Sequence, residues 1–119
     1  MRSLGDDYEI RASQWLQDQG VSLLARNFAG KTGEIDIIAQ HNNHLVFLEV
    51  RARSNLRFAS AAASVDKRKQ QRIMLTAQLF LQRHPKFANM PCRFDVITFE
   101  PRSPASDSEI RWIRGAFTA

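Results

Sequence analysis

Two carboxylates lie inside stretches of sequence that otherwise have the composition of buried β-strands. Asp36 lies in residues 33–39 and Glu49 lies in residues 45–53. Charged side chains are rarely buried unless they are paired or bind a metal. A conflict between local pattern and burial is expected at functional sites, so we predict one here. Arg51 belongs to it, because residues two apart in a strand share a face.

The chemistry predicted for this pair is the binding of a divalent cation. If residues 41–44 form the turn between the two strands, Asp36 lies opposite Glu49, with the carboxylates roughly 5 Å apart. Like charges so placed repel, and either a shared proton or a cation between them relieves the repulsion. Oxygen ligands at that spacing suit Mg²⁺ or Mn²⁺. The metal would activate water and Arg51 would stabilise charge that develops on phosphorus, which together are the parts for phosphodiester hydrolysis.

The positive charge of the chain is concentrated beside these residues. The net charge is +5, yet the segment from Arg51 to Arg72 contains seven basic residues and only one acid. The rest of the chain is therefore close to neutral. A local basic patch is the electrostatic signature of a polyanionic partner. The alternative is a solvated helix end without a partner.

A predicted helix opens within this basic segment. It begins with Lys67-Arg68-Lys69, and the helix dipole disfavours positive charge at that end. Free N–H groups at a helix N-terminus bind phosphate, and basic side chains strengthen that binding. The placement therefore favours a nucleic acid as the partner. The predicted contacts are Arg53, Arg57, Lys67, Arg68, Lys69, Gln70 and Arg72.

The elements that must position these residues follow from periodicity and turn signals. One helix is capped by Ser3 and ends near Gly20, and a second, capped by Ser64, runs from Val65 to about Arg83. Five strands are predicted at 21–28, 33–39, 45–53, 92–99 and 109–114. The order is α-β-β-β-α-β-β. A helix crossover before the fourth strand predicts a mixed sheet within one α/β domain over residues 1–119.

Membrane and secreted proteins are disfavoured by the sequence. No run approaches the ~18 apolar residues that would span a bilayer, so no membrane partner is expected. The first residues turn acidic where an export signal would be apolar. Cys92 is the only cysteine, which excludes an intrachain disulfide; it is expected to be a small buried side chain. A reducing, cytoplasmic location fits this composition.

Three blocks of sequence carry a resemblance to known nucleases. Asp36 followed by Glu49-Val50-Arg51 resembles the D…(D/E)-x-K signature of restriction-endonuclease-like enzymes. With residues 93–97 added, blocks 33–39 and 47–53 look like the YraN family, a group of small bacterial proteins similar to archaeal Holliday-junction resolvases. The resemblance covers nearly the whole chain. It implies a restriction-endonuclease-like fold in which Glu9, Asp36 and Glu49 are metal ligands.

One position departs from that signature, because Arg51 stands where the family of nucleases has a catalytic lysine. Arginine keeps the charge and gains a bidentate grip on phosphate, but it cannot exchange a proton near neutral pH. Two alternatives stay open. Arg51 could form an ion pair with Glu49 or Asp36 in a site that has lost its activity, or Lys69 or Gln70 could replace the missing lysine.

The leading hypothesis is a metal-dependent nuclease that uses Mg²⁺ or Mn²⁺ and acts on DNA, including branched DNA. Its catalytic residues would be Asp36, Glu49 and Arg51. The first rival is a nucleic-acid-binding module without catalytic activity. The second is a scaffold whose basic patch meets an acidic protein. A junction-resolving enzyme needs two active sites and hence a homodimer, although no stretch of sequence identifies an interface.

Overall fold

The computed structural model describes residues 4–52, 65–101 and 108–118. The helices are α1 (Leu4–Asp18), α2 (Lys67–Arg83) and a short 3-10 helix (Pro85–Phe87). The strands are β1 (Ser22–Gly30), β2 (Gly33–His41), β3 (His44–Ala52), β4 (Cys92–Pro101) and β5 (Ser108–Phe117). This confirms the predicted α/β class and element order. The predicted caps Ser3 and Ser64 lie outside the described residues.

The five strands form one mixed sheet in the order β1-β2-β3-β4-β5. Neighbouring strands are antiparallel except for β3 and β4, which run parallel. Parallel neighbours need a crossover connection, and α2 lies in the one between them. The strand that carries Glu49 is therefore the central one, with β2 on one side and β4 on the other.

The two faces of the sheet are covered by different helices, which gives three layers. On one face, Ala12 and Leu16 of α1 belong to a buried cluster with residues of β2, β3 and β4. On the other face, Ile73, Ala77 and Phe80 of α2 belong to a second cluster. Each helix buries one apolar stripe, as an amphipathic helix does on a sheet. None of the described helices is long and apolar enough to cross a membrane.

Three local predictions need correction. The second helix begins at Lys67 and not at Val65, because Asp66 is its N-cap and accepts a 2.8 Å hydrogen bond from Lys69 N. The turn after β2 comprises only Asn42 and Asn43, both at positive φ, which is the geometry favoured for two-residue hairpins. Cys92 is exposed and not buried.

Candidate active site

The strands β2 and β3 separate at Asp36 and Glu49. Their regular pairing ends with Ile37 opposite Leu48. Beyond that pair, Val50 N donates to Asp36 Oδ2 at 2.9 Å and Asp36 N donates to Glu49 Oε2 at 3.3 Å. The two carboxylates thus accept bonds from backbone N–H groups across an opening in the sheet.

Strand β2 also changes its facing at this point. Ile35 and Ile38 belong to the cluster under α2, whereas Ile37 belongs to the cluster under α1. Strict alternation would place Ile35 with Ile37, so the strand twists at Asp36. In β1, Asn27 lies between the residues paired with Ile35 and Ile37 and has a φ of +54°. Both strands are irregular at the same level, and side chains from the two helix layers can reach one another there.

A group of carboxylates converges at this opening. Glu9 from α1 and Glu34 and Asp36 from β2 each offer an oxygen, and these oxygens lie within 4.8 Å of one another. In the orientation that satisfies its amide, Asn27 donates to Glu9 Oε1 at 2.6 Å and to Glu34 Oε1 at 2.8 Å. The reverse orientation would offer the amide oxygen as a further hard ligand.

The electrostatics of the opening disfavour its negative charge. Burial raises the pKa of Asp36, while the Val50 N–H, Lys69, Arg51 and a side-chain hydrogen bond with Glu9 act in the opposite direction. A hydrogen bond between two carboxyl groups requires that one of them holds a proton. Either a proton or a cation is therefore favoured at this position.

Glu49 is the more strongly perturbed of the two strand carboxylates. Its side chain is almost fully buried, and burial, followed by repulsion from Asp36, raises its pKa to about 7. Lys69 opposes this rise. The Lys69 Nζ lies 3.2 Å from Glu49 Oε1, but that oxygen has no aligned hydrogen-bond donor among the described residues. Lys69 therefore compensates the charge of Glu49 only partly.

The opening continues into a cleft beside the N-terminal turns of α2. The cleft has a volume of about 320 Å³. Its lining residues are Gly33, Glu34, Asp36, Lys69, Arg72 and Ile73. One wall is thus acidic and the other basic, with the Lys69 ammonium beside the carboxylates. A phosphate group bridged to a cation would meet charges of the correct sign on both walls.

Arg51 is less central than its place in the sequence suggests. It is half-buried on β3 opposite Thr98 of β4. Arg51 Nε and Thr98 Oγ1 are both buried without a hydrogen-bond partner in the described part of the chain. No ion pair found there includes Arg51, so the pairing with Glu49 or Asp36 considered above is not formed. The charge of Arg51 still lowers the pKa of Asp36.

Comparison with known proteins places this chain in a family. Residues 8–99 match the family model "Uncharacterised protein family UPF0102". The chain belongs to UPF0102. A UPF0102 protein of Saccharophagus degradans is 49% identical over 114 residues, 96% of this chain and 92% of that protein. One of Methylobacillus flagellatus is 44% identical over the full length of both chains. These matches confirm the resemblance to the YraN family, which is UPF0102.

The residues predicted to contact nucleic acid differ in exposure and in their distance from the opening. Lys67 and Arg68 are exposed, and Arg72 is exposed where it lines the cleft. Gln70 Nε2 donates to Val65 O at 2.8 Å, so its amide nitrogen is engaged by the backbone at the start of α2. Arg53 and Arg57 lie outside the described residues. Of the candidates for a replacement lysine, Lys69 is the one that contacts a carboxylate of the opening.

Sequence reasoning missed two residues at the opening, Glu34 and Asn27. Glu34 is two residues before Asp36, and the two-residue period of a strand could have placed both on one face. It follows a glycine turn and is exposed, so it has the pattern of a solvated strand end. Asn27 lies opposite Asp36, because the β1–β2 register runs without a shift from Gly30 opposite Gly33 to Arg26 opposite Ile37. The predicted first strand ended at residue 28, so the hairpin register that would have placed Asn27 there was not available.

Proposed function

We propose that this UPF0102 protein is a metal-dependent nuclease that hydrolyses DNA phosphodiesters in the cytoplasm. The observation that carries the proposal is the convergence of Glu9, Glu34 and Asp36 within 4.8 Å of one another. Lys69 and Arg72 line the same cleft. Carboxylates facing cations in a cleft are the arrangement expected for metal-assisted phosphoryl transfer.

The donor set fits Mg²⁺ or Mn²⁺. All the candidate ligands are oxygen atoms, which these hard cations prefer and which softer metals do not. The raised pKa of Asp36 indicates a buried negative charge that its neighbours only partly compensate. Glu9, Glu34 and Asp36 would hold the cation, with Glu49 beside them. When bound, the cation supplies Lewis acidity toward the phosphoryl group and activates water.

The residues of the chain itself would orient the substrate. Lys69 contacts Glu49 and also lines the cleft, so its ammonium would attract the scissile phosphate and stabilise charge that develops on it. Arg72 would bind a flanking phosphate, since a guanidinium grips phosphate in a bidentate manner. Arg51 would contribute positive charge near Asp36, although it forms no ion pair within the described part of the chain.

The charge of α2 favours a polyanionic substrate. Helix α2 contains five basic residues and no acid, and its first turns form a wall of the cleft. A polyanion is the partner that such a helix attracts. Branched DNA as a substrate, and a homodimer that would cut two strands of it, extend the same proposal.

Cleavage assays with one ligand variant test this function. Purified protein with Mn²⁺ should cut single-stranded, duplex or branched DNA, and Asp36→Asn should lower the rate by on the order of 10³-fold. Asp18→Asn, at the exposed end of α1, is a matched control that should cleave normally. Absence of cleavage on all three substrates, or equal rates for Asp36→Asn and the parent protein, would overturn the proposal.

A nucleic-acid-binding module without catalysis is the second candidate. It is favoured by the arginine at position 51, where the nuclease signature has lysine. Such a module would bind DNA without a metal, with an affinity that falls steeply as salt rises. Asp36→Asn would leave that binding unchanged. Binding measurements in chelator beside the cleavage assay therefore separate the two functions.

A further inference from the structure

A second groove lies beside the cleft, between the β1–β2 turn and the outer face of α2. Its volume is about 380 Å³, which is the size of a small-ligand site. Its lining residues are Lys31, Thr32, Leu75, Gln78, Leu79, Gln82 and Arg83. It therefore combines two cations, two amides and an apolar floor, and no acidic side chain of the described residues lines it.

The groove continues the cleft along one seam. Thr32 precedes Gly33 of the cleft in the chain, and Leu75 follows Arg72 of the cleft by about one helical turn. A hydroxyl hydrogen bond of 2.6 Å joins Thr32 to Thr76 and ties the turn to α2. The two cavities thus lie in sequence along α2 between the same pair of walls.

The turn and the helix are in close contact along the groove. A Cβ atom added to Gly30 would lie 2.4 Å from Leu79 Cδ2, so the backbone at the end of β1 lies directly against the tip of this side chain. Arg83 is held in turn above the ring of Phe28, with its guanidinium carbon 5.7 Å from the ring centroid. The walls of the groove are therefore in contact before any ligand binds, and Arg83, one of its two cations, already packs on Phe28.

We infer that this groove binds a nucleotide that flanks the scissile phosphate on a single-stranded segment of the substrate. The inference rests on the proposed function, because it takes the cleft as the place of cleavage. Lys31 and Arg83 would contact phosphates, Leu75 and Leu79 would pack on a sugar or base, and the glutamine amides would meet base edges. Leu75 is 49% exposed at present, and the strand would cover it.

The size and charge of the groove favour this occupant over others. A groove of this volume is large enough for one splayed nucleotide. The distance along α2 from Lys69 to Arg83 is ~21 Å at 1.5 Å per residue, which spans several nucleotides of a strand. A cationic rim without acids also disfavours basic peptides.

Charge reversal tests the groove directly. The double variant Lys31→Glu, Arg83→Glu should weaken binding of a single-stranded oligonucleotide, measured by fluorescence anisotropy. The slope of log affinity against log salt should fall by about 1.4, since each phosphate contact on a single strand contributes ~0.7. Arg11→Glu, Arg114→Glu is the matched control, because these exposed arginines lie on α1 and β5. It makes the same change in net charge and should leave the salt slope nearer to that of the parent protein.

A small substrate separates this inference from the proposed function. Bis(4-nitrophenyl) phosphate is small enough to occupy the cleft alone, so its Mn²⁺-dependent hydrolysis should differ less than about twofold between the parent and Lys31→Glu, Arg83→Glu. Cleavage of the oligonucleotide should lose at least about tenfold in kcat/KM through KM. If the double variant lost equal activity on both substrates, or none on the oligonucleotide, the groove would not be a nucleotide-binding site. The proposal that the protein is a nuclease would be unaffected. No hydrolysis of either substrate by the parent protein would overturn both proposals.

Amide chemical shifts provide a measurement that does not depend on the variants. Adding the oligonucleotide should shift the backbone amides of Lys31 and Thr32 and the side-chain amides of Gln78 and Gln82. Shifts confined to residues 67–72 would contradict the groove, and stronger shifts with a duplex of equal length would exclude a single-stranded ligand.

Discussion

Two buried carboxylates on adjacent strands, Asp95 and Glu49, have opposite surroundings. Asp95 on β4 is fully buried and accepts hydrogen bonds from Arg93, the Trp112 indole and Gly115 N at 2.8–3.2 Å. Glu49 on β3 is as deeply buried, yet it accepts one 3.3 Å backbone bond and pairs loosely with Lys69. Burial alone therefore does not distinguish a structural carboxylate from a functional one, whereas the supply of donors does.

Both carboxylates lie where strand pairing is interrupted. The β4–β5 register shifts at Asp95, and Gly115, at a φ of +60°, turns its N–H toward that carboxylate. The side chain closes the interruption. At the β2–β3 opening, Asp36 and Glu49 bridge the strands but leave a cleft toward solvent. At the β4–β5 interruption, protein groups satisfy the carboxylate. At the β2–β3 opening, we propose that a cation and a phosphate do so.

The largest effect that tests this comparison is on folding. Asp95→Asn should lower the free energy of unfolding by about 3–5 kcal/mol, because it leaves the Arg93 guanidinium without its charge partner in a mostly buried position. Urea denaturation measures the change. The site lies on the other side of β3, so Mn²⁺ affinity of the folded fraction should be unaffected. A loss below about 1 kcal/mol would show that Asp95 is not the structural carboxylate described above.

Glu49→Gln should have the converse effect. It keeps an acceptor for Asp36 N and removes a charge that burial disfavours, so metal-free stability should stay level or rise at pH 8. Metal-dependent cleavage should fall by about 10²-fold or more. Parallel denaturation and cleavage assays on one preparation check both parts. A variant that loses stability as Asp95→Asn does would remove the contrast between the two carboxylates.

The comparison also shows what the sequence could and could not predict. Asp36, Glu49 and their common level in the sheet followed from two apolar runs and a short turn, because strand period and hairpin register are local properties. The pairing of Asp95 with Arg93 is also local, because residues two apart in a strand share a face. The contact of Lys69 with Glu49 joins a helix to the sheet, and such contacts between layers cannot be derived from local patterns. Sequence reasoning could therefore name Lys69 only as one of two candidates to replace the missing lysine.

Other features depended on irregular backbone that no pattern encodes. The twist of β2 at Asp36 and the positive φ of Asn27 bring Glu9, Glu34 and Asp36 together. A regular sheet would have separated the side chain of Glu9 on α1 from the cleft beside α2. Only the family resemblance implied that Glu9 and Asp36 share a site. Similarly, Asp66 displaced the start of α2 from Val65, because two residues there could each have served as an N-cap.

The next effect in size is the pH dependence of stability in chelator. The pKa of Glu49 is raised from its ordinary 4.5 to about 7 in the folded protein, so the folded state holds a proton that the unfolded state has released. Stability should therefore decrease as pH rises from about 4.5 to 7, by on the order of 1 kcal/mol or more. Urea midpoints across this range measure it. Glu49→Gln should flatten the profile, and so should saturating Mg²⁺, while a flat profile in the parent protein would contradict the unbalanced charge.

Arg51→Lys should have the smallest effect. Both residues are cationic, and in the described part of the chain Arg51 contacts neither Asp36 nor Glu49, so metal affinity and stability should change by less than about 1 kcal/mol. Lys69→Met should lower cleavage at least about tenfold, because it removes the cation that faces the cleft, and Lys69→Arg should restore part of it. Single-turnover cleavage by the three variants is the measurement. If Arg51→Lys raised cleavage strongly and Lys69→Met left it unchanged, the lysine of the nuclease signature would belong on β3 after all. The rate of cleavage at the β2–β3 opening would then be limited by Arg51, and Lys69 of α2 would not contribute to it.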